Sequence, residues 1–464
     1  MPERIIIINV INPKISPKNP TNIFEIQEGP HFPLGIAFLA NFIIKNNKNT
    51  PLLLLDDQMT NHETIIEKMK KFKPTIVGIN SKFKSYVTAL NFARVAKKLN
   101  TKVVMGGAYP SGLHREILIN RGPFSNDYCV DAVIRGDGED SFYQYILKHH
   151  DQTLLAAVNN LTFCSKKEII VNPIQHHITN ESAINFNLLD PRPYFKKYQK
   201  NFPTSKIKNP FIVQSHKGCA WREKTKGGCI FCSLINEKLT MKNPKQVWTE
   251  INKLVKIYNV DYIWDISDDI LSDEGWFDQY FEEALKLKCR PKLKIQSRAD
   301  NLIDKNIYKK LKKLKIEQLF IGFESNDDNC LKRMNKNTTE AINEQATNLL
   351  LKHNIPIAAY FTLGNPGETK KSLKKTIKLA EKIIKYGNSK NIVVPSFFTA
   401  LPNSTSFNIL KQQTGKKYEK IDIFNWKEII QDWINNNCEV SNEEIKKSIN
   451  NILSLSKNIN SFSY

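Results

Sequence analysis

Three cysteines stand close together in one stretch of the chain, Cys219, Cys229 and Cys232, spaced C-x9-C-x2-C. Thiolates grouped in this way hold zinc or an iron–sulfur cluster. A closed zinc site or a saturated cluster takes four ligands, so three leave one metal position open. An open iron in a cubane is what a substrate or cofactor needs if it is to bind the cluster directly. Zinc is the competing reading, with His216, three residues before Cys219, as a fourth ligand. The apolar, strand-like Phe211-Ile212-Val213-Gln214 precedes the first cysteine, and Gly227-Gly228 stands just before the second. This place, at the end of a strand that opens a long series of strand–helix units, favours the cluster.

A chain of 464 residues is too long for one ordinary core, and two or three domains are expected. Hydrophobic content of 41% suits a soluble globular protein. The start, Met1-Pro2-Glu3-Arg4-Ile5-Ile6-Ile7-Ile8, reads as a first strand and lacks the features of a signal peptide. No apolar run approaches the ~20 residues of a membrane helix. Eight cysteines, three of them clustered, argue against a disulfide scaffold and for a reducing cytoplasm. Net charge is +22, but only ten of the 68 basic residues are Arg, and the lysines are dispersed over helix faces. That pattern reads as a solvated surface; no compact basic-aromatic motif for nucleic acid stands out.

Over residues 1–150, strand-like runs at 4–10, 51–57, 74–81, 102–107 and 131–137 alternate with helical ones at 34–43, 62–72, 86–99 and 139–150. The alternation predicts a parallel, doubly wound, Rossmann-like sheet whose ligands bind beyond the carboxyl ends of the strands. That edge collects Asp56, Asp57, Ser81, Gly106, Gly107 and Gly136-Asp137-Gly138-Glu139. Gly106-Gly107 either makes a tight turn or lets a large flat ligand approach the backbone. No G-x-G-x-x-G follows the first strand, which argues against a dinucleotide. Residues 151–204 read as a linker, with a small hairpin at 161–163 and 169–171 and a proline-stiffened extended passage at 188–194. Over 205–405, strands near 211–216, 262–267, 292–298, 318–325, 355–364 and 392–398 predict a partial barrel with its chemistry at the strands' C-terminal ends. Ser267, Asp268, Asp269, Arg298, Asp300, Glu324, Ser325, Gly364, Pro366 and Glu368 fall there. Residues 406–464 read as a helical segment with amphipathic helices at 426–435 and 443–454, packed on the barrel.

Two sets of motifs carry a resemblance. Pro33-Leu34-Gly35-Ile36-Ala37-Phe38-Leu39, Val77-Gly78-Ile79, Val104-Met105-Gly106-Gly107 and Arg135-Gly136-Asp137-Gly138-Glu139 resemble the cobalamin-binding domain of B12-dependent radical S-adenosylmethionine (SAM) enzymes. The cysteine cluster, Ser267-Asp268-Asp269, Ser297-Arg298-Ala299-Asp300, Ile321-Gly322-Phe323-Glu324-Ser325 and Leu363-Gly364-Asn365-Pro366-Gly367-Glu368-Thr369 resemble the radical SAM superfamily and its (β/α)6 partial barrel. Two departures stand out. The family's usual C-x3-C-x2-C is widened by six residues, an insertion that adds little closure entropy. Met59 stands where a D-x-H-x-x-G motif after Asp57 would put a cobalt-ligating histidine.

The resemblance implies a 4Fe-4S cluster on Cys219, Cys229 and Cys232, with SAM on its open iron. It implies SAM contacts from Phe231 on adenine, Arg298 on the carboxylate, Glu324 on the amino group or ribose, and Gly364 and Pro366 along the adenine edge. The plainer readings are Arg298 in a salt bridge, Glu324 capping the next helix, and 364–367 as a simple turn. For cobalamin it implies Leu34, Gly35, Asp57, Ser81, Gly106, Gly107, Gly136 and Glu139, with no protein histidine on cobalt. It names no catalytic residue. The implied activity is methylation of an unactivated carbon on a small-molecule or peptide substrate, with flavodoxin or ferredoxin as electron donor. The alternatives are a radical SAM rearrangement or oxidation without methyl transfer, and a zinc-stabilised nucleic-acid-binding protein.

Overall fold

The apolar run at the start of the chain forms β1 (Ile5–Val10), all six residues buried. A parallel strand covered on both faces reads as such a continuous run. In this computed structural model, which describes residues 3–11, 30–176, 184–235, 238–418 and 426–455, β2 (Leu52–Asp56), β3 (Ile76–Ser81), β4 (Lys102–Gly106) and β5 (Ala132–Ile134) join β1 in parallel, in the order β2-β1-β3-β4-β5. The chain leaves β1 in one direction and β3 in the other, so a crevice opens between their carboxyl ends. Helices Leu34–Asn46, His62–Phe72, Tyr86–Lys98 and Glu139–Lys148 accompany the strands.

The hairpin read as part of a linker is instead the continuation of this sheet. β6 (Leu161–Ser165) pairs antiparallel with β5, and β7 (Glu168–Val171) with β6, giving seven strands. The buried face of β6 supplies the reason: Leu161 and Phe163 pack with Val104 and Ala132. The passage expected to be extended at 188–194 turns into the helix Arg192–Asn201, with proline in its first turn, where its missing N–H is no loss.

β8 (Pro210–Val213) opens the second sheet. A two-residue ribbon, β9 (His216–Lys217) with β10 (Thr240–Met241), follows it. β11 (Tyr262–Asp265), β12 (Lys292–Arg298), β13 (Ile316–Glu324), β14 (Ile357–Leu363) and β15 (Ile392–Phe397) complete a six-stranded, all-parallel sheet in the order β8-β11-β12-β13-β14-β15. Side chains alternate along each strand. Leu293, Ile295, Leu319, Ile321, Phe323, Ala359, Phe361 and Leu363 join the large core shared with the helices. Lys294, Gln296, Arg298, Phe320, Gly322, Tyr360 and Thr362 therefore line the other face, the barrel interior.

The two halves share their cores. Phe32, Leu34 and Ala37 pack in one cluster with Phe211 and Ile212 of β8. Val10 and Ile79 lie in another cluster with Met334, Phe398 and Trp433. Helix Asn442–Leu455 packs on β15 and on helix Lys370–Tyr386, and helix Trp426–Asn437 packs on helix Thr405–Thr414; together they bury Ile430, Ile434, Ile445, Ile449 and Ile452.

Candidate active site

Cys219 is the N-cap of a six-residue helix, Ala220–Thr225, and this helix is the widened spacing between the first two thiols. The segment after β13 pins the loop. Trp221 Nε1 donates to the Asn335 carbonyl at 2.8 Å, Ile230 N–H to Met334 O at 3.0 Å, and Asn335 Nδ2 to Gly228 O at 2.7 Å. Ser406 N–H donates to Ile230 O at 2.9 Å. The extra residues thus fold outward as a turn of helix while both ends stay fixed. All eight cysteines are free thiols. Burial raises the Cys219 thiol and pushes that of Cys232 up to about 11. Among the described residues no three His, Cys, Asp or Glu side chains converge as a metal-ligand set, so the three thiols share a loop without closing on a common point.

Charges of both signs surround these thiols. Arg298 acts on Cys219 and Cys229, and Lys336 acts on Cys229. These cations favour the thiolates that a cluster takes, against Asp269 beside Cys219 and Asp268 beside Cys232. The zinc reading loses its fourth ligand, because His216 is buried and its Nε2 accepts the Asp269 N–H at 3.1 Å. Burial lowers His216 to about 4 and keeps the ring neutral.

The polar residues after β11 are mostly spent on the fold. Ser267 Oγ accepts the N–H groups of Ser215 and His216, both at 2.9 Å, and donates to Asp265 at 2.5 Å. Asp269 accepts from Ser297 Oγ, the Arg298 N–H and Asn301. Asp268 faces the Gly218 N–H, and burial pushes its carboxyl up to about 6.

Arg298 forms a paired salt bridge with Asp300, Nε and one terminal nitrogen each donating at 3.0 and 2.9 Å, and its guanidinium lies 5.6 Å from the Trp221 ring centroid. Glu324 does not cap the next helix; Asp327 does. Glu324 instead holds a left-handed backbone, φ +63°, and pairs with Lys336 Nζ at 3.0 Å, both side chains buried. Lys336 Nζ also lies 5.9 Å from the ring centroid of Phe231. Cys229, Phe231, Arg298, Glu324 and Lys336 therefore gather at one end of the barrel. Lys336 carried no signal in the sequence, since it sits in a lysine-rich loop twelve residues past Glu324.

The turn that holds Gly364 and Pro366 has partners of its own. Trp433 Nε1 donates to Gly364 O at 2.9 Å, Gly367 N–H to Asn437 O at 2.7 Å, and a Cβ on Gly364 would meet Ile445 and Ile434. The turn is fastened to the C-terminal helices.

In the N-terminal domain, the described residues leave room beside two glycines on the floor of the crevice between β1 and β3. A Cβ on Gly106 would meet only Ile134 O, at 3.7 Å, and one on Gly35 would meet nothing within 4 Å. Among the described residues, Ser81 Oγ at the end of β3 is buried with no hydrogen-bond partner. A flat group bearing hydrogen-bonding edges fits such a floor. Gly107 is required for another reason: its φ is +98°, and a Cβ there would overlap Asn80 Oδ1 and stand 2.6 Å from Ser81 O. Asp57 accepts the Ile11 N–H at 2.9 Å and lies 3.8 Å from His62 Nε2. Gly136 has φ +68° and donates to Ser111 Oγ. Leu34 and Glu139 do not face the crevice. Leu34 packs in the core with β8, and Glu139, with Asp137, pairs with Lys217 of β9.

The segment at residue 31 joins the two sites. The His31 ring stands edge-on to Trp264 of β11 at 5.3 Å. Lys294, inside the barrel, and Lys82, just past β3, both act on it, and burial with these charges lowers His31 to about 3. Lys294 Nζ lies over the Trp264 and Phe320 rings, 3.6 and 4.0 Å from their centroids.

Residues 213–380 match the family model of the Radical SAM superfamily, and residues 27–146 match that of the B12 binding domain. The chain belongs to the B12-binding radical SAM family. Members of this family are enzymes that use a 4Fe-4S cluster, SAM and cobalamin, act on small-molecule substrates, and take electrons from an external reductant. The chain is 25% identical over 401 residues to an uncharacterized methyltransferase of Pyrococcus horikoshii, covering 84% of this chain and 82% of the relative. It is 24% identical over 402 residues to the anaerobic magnesium-protoporphyrin IX monomethyl ester cyclase of Rubrivivax gelatinosus, covering 84% and 67%. The structure of OxsB, a cobalamin-dependent SAM radical enzyme with aqua-cobalamin and SAM bound, superposes with a TM-score of 0.70 at 14% identity. That superposition covers 90% of this chain and 62% of OxsB, and at this identity it shows the fold. The family membership does not favour the nucleic-acid-binding alternative. No helix among the described residues is long and apolar enough to cross a membrane.

Proposed function

We propose that the protein methylates an unactivated carbon of a small molecule held in the barrel, between the cysteine loop and the β1/β3 crevice. When bound, the cluster and SAM supply a 5′-deoxyadenosyl radical and cobalamin supplies the methyl group. Cys219, Cys229 and Cys232 hold the cluster. Phe231 packs on the adenine, and the Glu324–Lys336 pair meets the polar end of SAM. Arg298, fixed by Asp300, keeps the wall beside Cys219 and Cys229 positive. Ser81, Gly106 and Gly35 form the seat of the corrin, with Asp57, Gly107 and Gly136 shaping its backbone. An acidic one-electron carrier such as flavodoxin or ferredoxin supplies the reductant.

One observation carries the reading. The His31 backbone exchanges two hydrogen bonds with the Gln58 side chain, just past β2, at 3.1 and 3.0 Å, while its ring stands 5.3 Å from that of Trp264 in β11. One residue therefore links the end of the N-terminal sheet to the barrel wall, which supports a shared space for the two cofactors. Trp264, Phe320 and the 37%-exposed Tyr360 give the barrel an apolar wall that would hold a substrate and exclude water. The similarity to a cyclase keeps a second reading in play, a radical oxidation or rearrangement without methyl transfer. The test is anaerobic turnover of reconstituted protein with methyl-labelled SAM and a small-molecule extract. Methylation yields S-adenosylhomocysteine together with 5′-deoxyadenosine and puts label into a product. Formation of 5′-deoxyadenosine alone, with substrate consumed and no label transferred, supports the second reading.

A further inference from the structure

Lys217 lies two residues before Cys219, yet its ammonium reaches into the other domain. Its Nζ stands 2.6 Å from Asp137 Oδ1 and 3.8 Å from Glu139 Oε1. Both carboxylates are buried. They are fixed on their own side: the Gly136 N–H donates to Ser111 Oγ at 3.1 Å, the Asp137 carbonyl accepts from Asn160 Nδ2 at 2.9 Å, and Glu139 begins the helix Glu139–Lys148. The helix N-terminus favours negative charge at that point. Lys217 is fixed as well. It is paired through β9 to β10, and Gly218 beyond it has φ +85° with no room for a Cβ against the Lys238 carbonyl. The backbone between the ion pair and Cys219 therefore has little freedom. A second contact runs alongside, with Lys242 Nζ 5.3 Å from the ring centroid of Phe38.

We propose that Lys217 is a positioning residue: its buried pairing with Asp137 and Glu139 sets the place of Cys219, so that the N-terminal domain fixes the geometry of the cluster loop. The inference rests on the reading of the three cysteines as cluster ligands. An ion pair that merely joined two domains would affect stability alone. An ion pair that positions a ligand affects the cluster itself, as groups that orient metal ligands commonly do, by about ten- to a hundredfold in metal retention.

The experiment uses the full chain, reconstituted anaerobically with iron and sulfide, in four forms: wild type, Lys217→Arg, Lys217→Met and Asp137→Asn/Glu139→Gln. The readouts are iron per chain, the rate of iron loss to a chelator, the EPR spectrum and midpoint potential of the reduced cluster, and the melting temperature. Lys217→Met and the double variant, whose changes lie in different domains, should both lose iron about tenfold faster. Both should also show the same altered EPR spectrum and a shifted potential, with Lys217→Arg close to wild type. Wild-type iron retention, spectrum and potential in the double variant overturn the proposal, whatever its melting temperature. Should Lys217→Met fail to fold, the double variant and Lys217→Arg still decide. A wild-type chain that takes up no iron overturns the cluster reading itself, a result distinct from a loaded wild type with unaffected variants.

Discussion

Gly106 and Gly107 are adjacent in the sequence, and valine at each should fail in a different way. At Gly107 the backbone lies at φ +98° and ψ 177°, a region essentially reserved for glycine. A side chain there costs about 1–3 kcal/mol in backbone strain alone. The new Cβ would also overlap Asn80 Oδ1 and press on Ser81 O, forcing the end of β3 to move, so a total above about 3 kcal/mol is expected. At roughly 2–4 °C per kcal/mol for a domain of this size, Gly107→Val should lower the melting temperature by about 6–12 °C. At Gly106 the new Cβ meets only Ile134 O, at ordinary contact distance, and the strand tolerates a β-branched residue. Gly106→Val should therefore melt within about 2 °C of wild type while its side chain stands in the corrin's seat. The assay pairs thermal melting with equilibrium titration of hydroxocobalamin followed by absorbance. The expected result for Gly106→Val is a near-wild-type melt with cobalamin affinity reduced about tenfold or more, equivalent to ~1.4 kcal/mol. Wild-type affinity in Gly106→Val refutes the placement of the corrin over β4. A wild-type melt in Gly107→Val refutes the strain calculation.

Replacing Cys219, Cys229 or Cys232 with Ala should abolish the cluster, measured as about four irons and four sulfides per chain in the wild type; full iron in Cys219→Ala would mean another ligand. Phe231→Ala should weaken SAM binding by about 1–3 kcal/mol, the range for an aromatic–base stack, with iron content unchanged, as read by calorimetry. Lys336→Met leaves Glu324 charged and buried and should destabilise by about 3–5 kcal/mol, while Lys336→Met/Glu324→Gln should recover most of it in denaturant titrations. His114 is held at about 4 by burial and by Arg135 and Arg115. A histidine lowered by folding stabilises fully above its unfolded value near 6.5, and that contribution is lost as pH falls towards about 4. His114→Gln should flatten the fall in melting temperature over that window, and an unchanged slope would assign the loss to other groups.

The elements were legible because their periods were clean. The four isoleucines of β1 and the βα alternation predict the parallel order, and the boundaries of β12 agree with the expectation to the residue. The cysteine spacing and the acidic and glycine turns after the strands were legible as motifs. Their partners were not. Glu324 reads as a ligand contact or a cap, but its buried partner, Lys336, is one lysine among 58 in the chain. Gly364–Gly367 reads as a ligand edge because the sequence does not say that Trp433 and Asn437, some seventy residues later, reach back to it. Asp137 and Glu139 sit at a ligand-binding edge by topology, and only the packing of the two domains turns them towards Lys217. The hairpin at β6 and β7 was visible as strands, but the sheet it joins is decided by edge pairing, which a local pattern does not carry.

The fastening of the Gly364–Glu368 turn to the last two helices bears on how the chain matures as it is made. β14 and its turn leave the ribosome well before Trp433, Asn437 and Ile445 exist. Domains fold from the N-terminus during synthesis, yet this barrel turn stays without its hydrogen-bonding and apolar partners until residues 433–445 have been made. A chain that stops before these two helices exposes the apolar surface that Ile430, Ile434, Ile445 and Ile449 cover. Quality control in the cell meets that surface first, so loss of the C-terminal helices should be felt as loss of protein before loss of turnover.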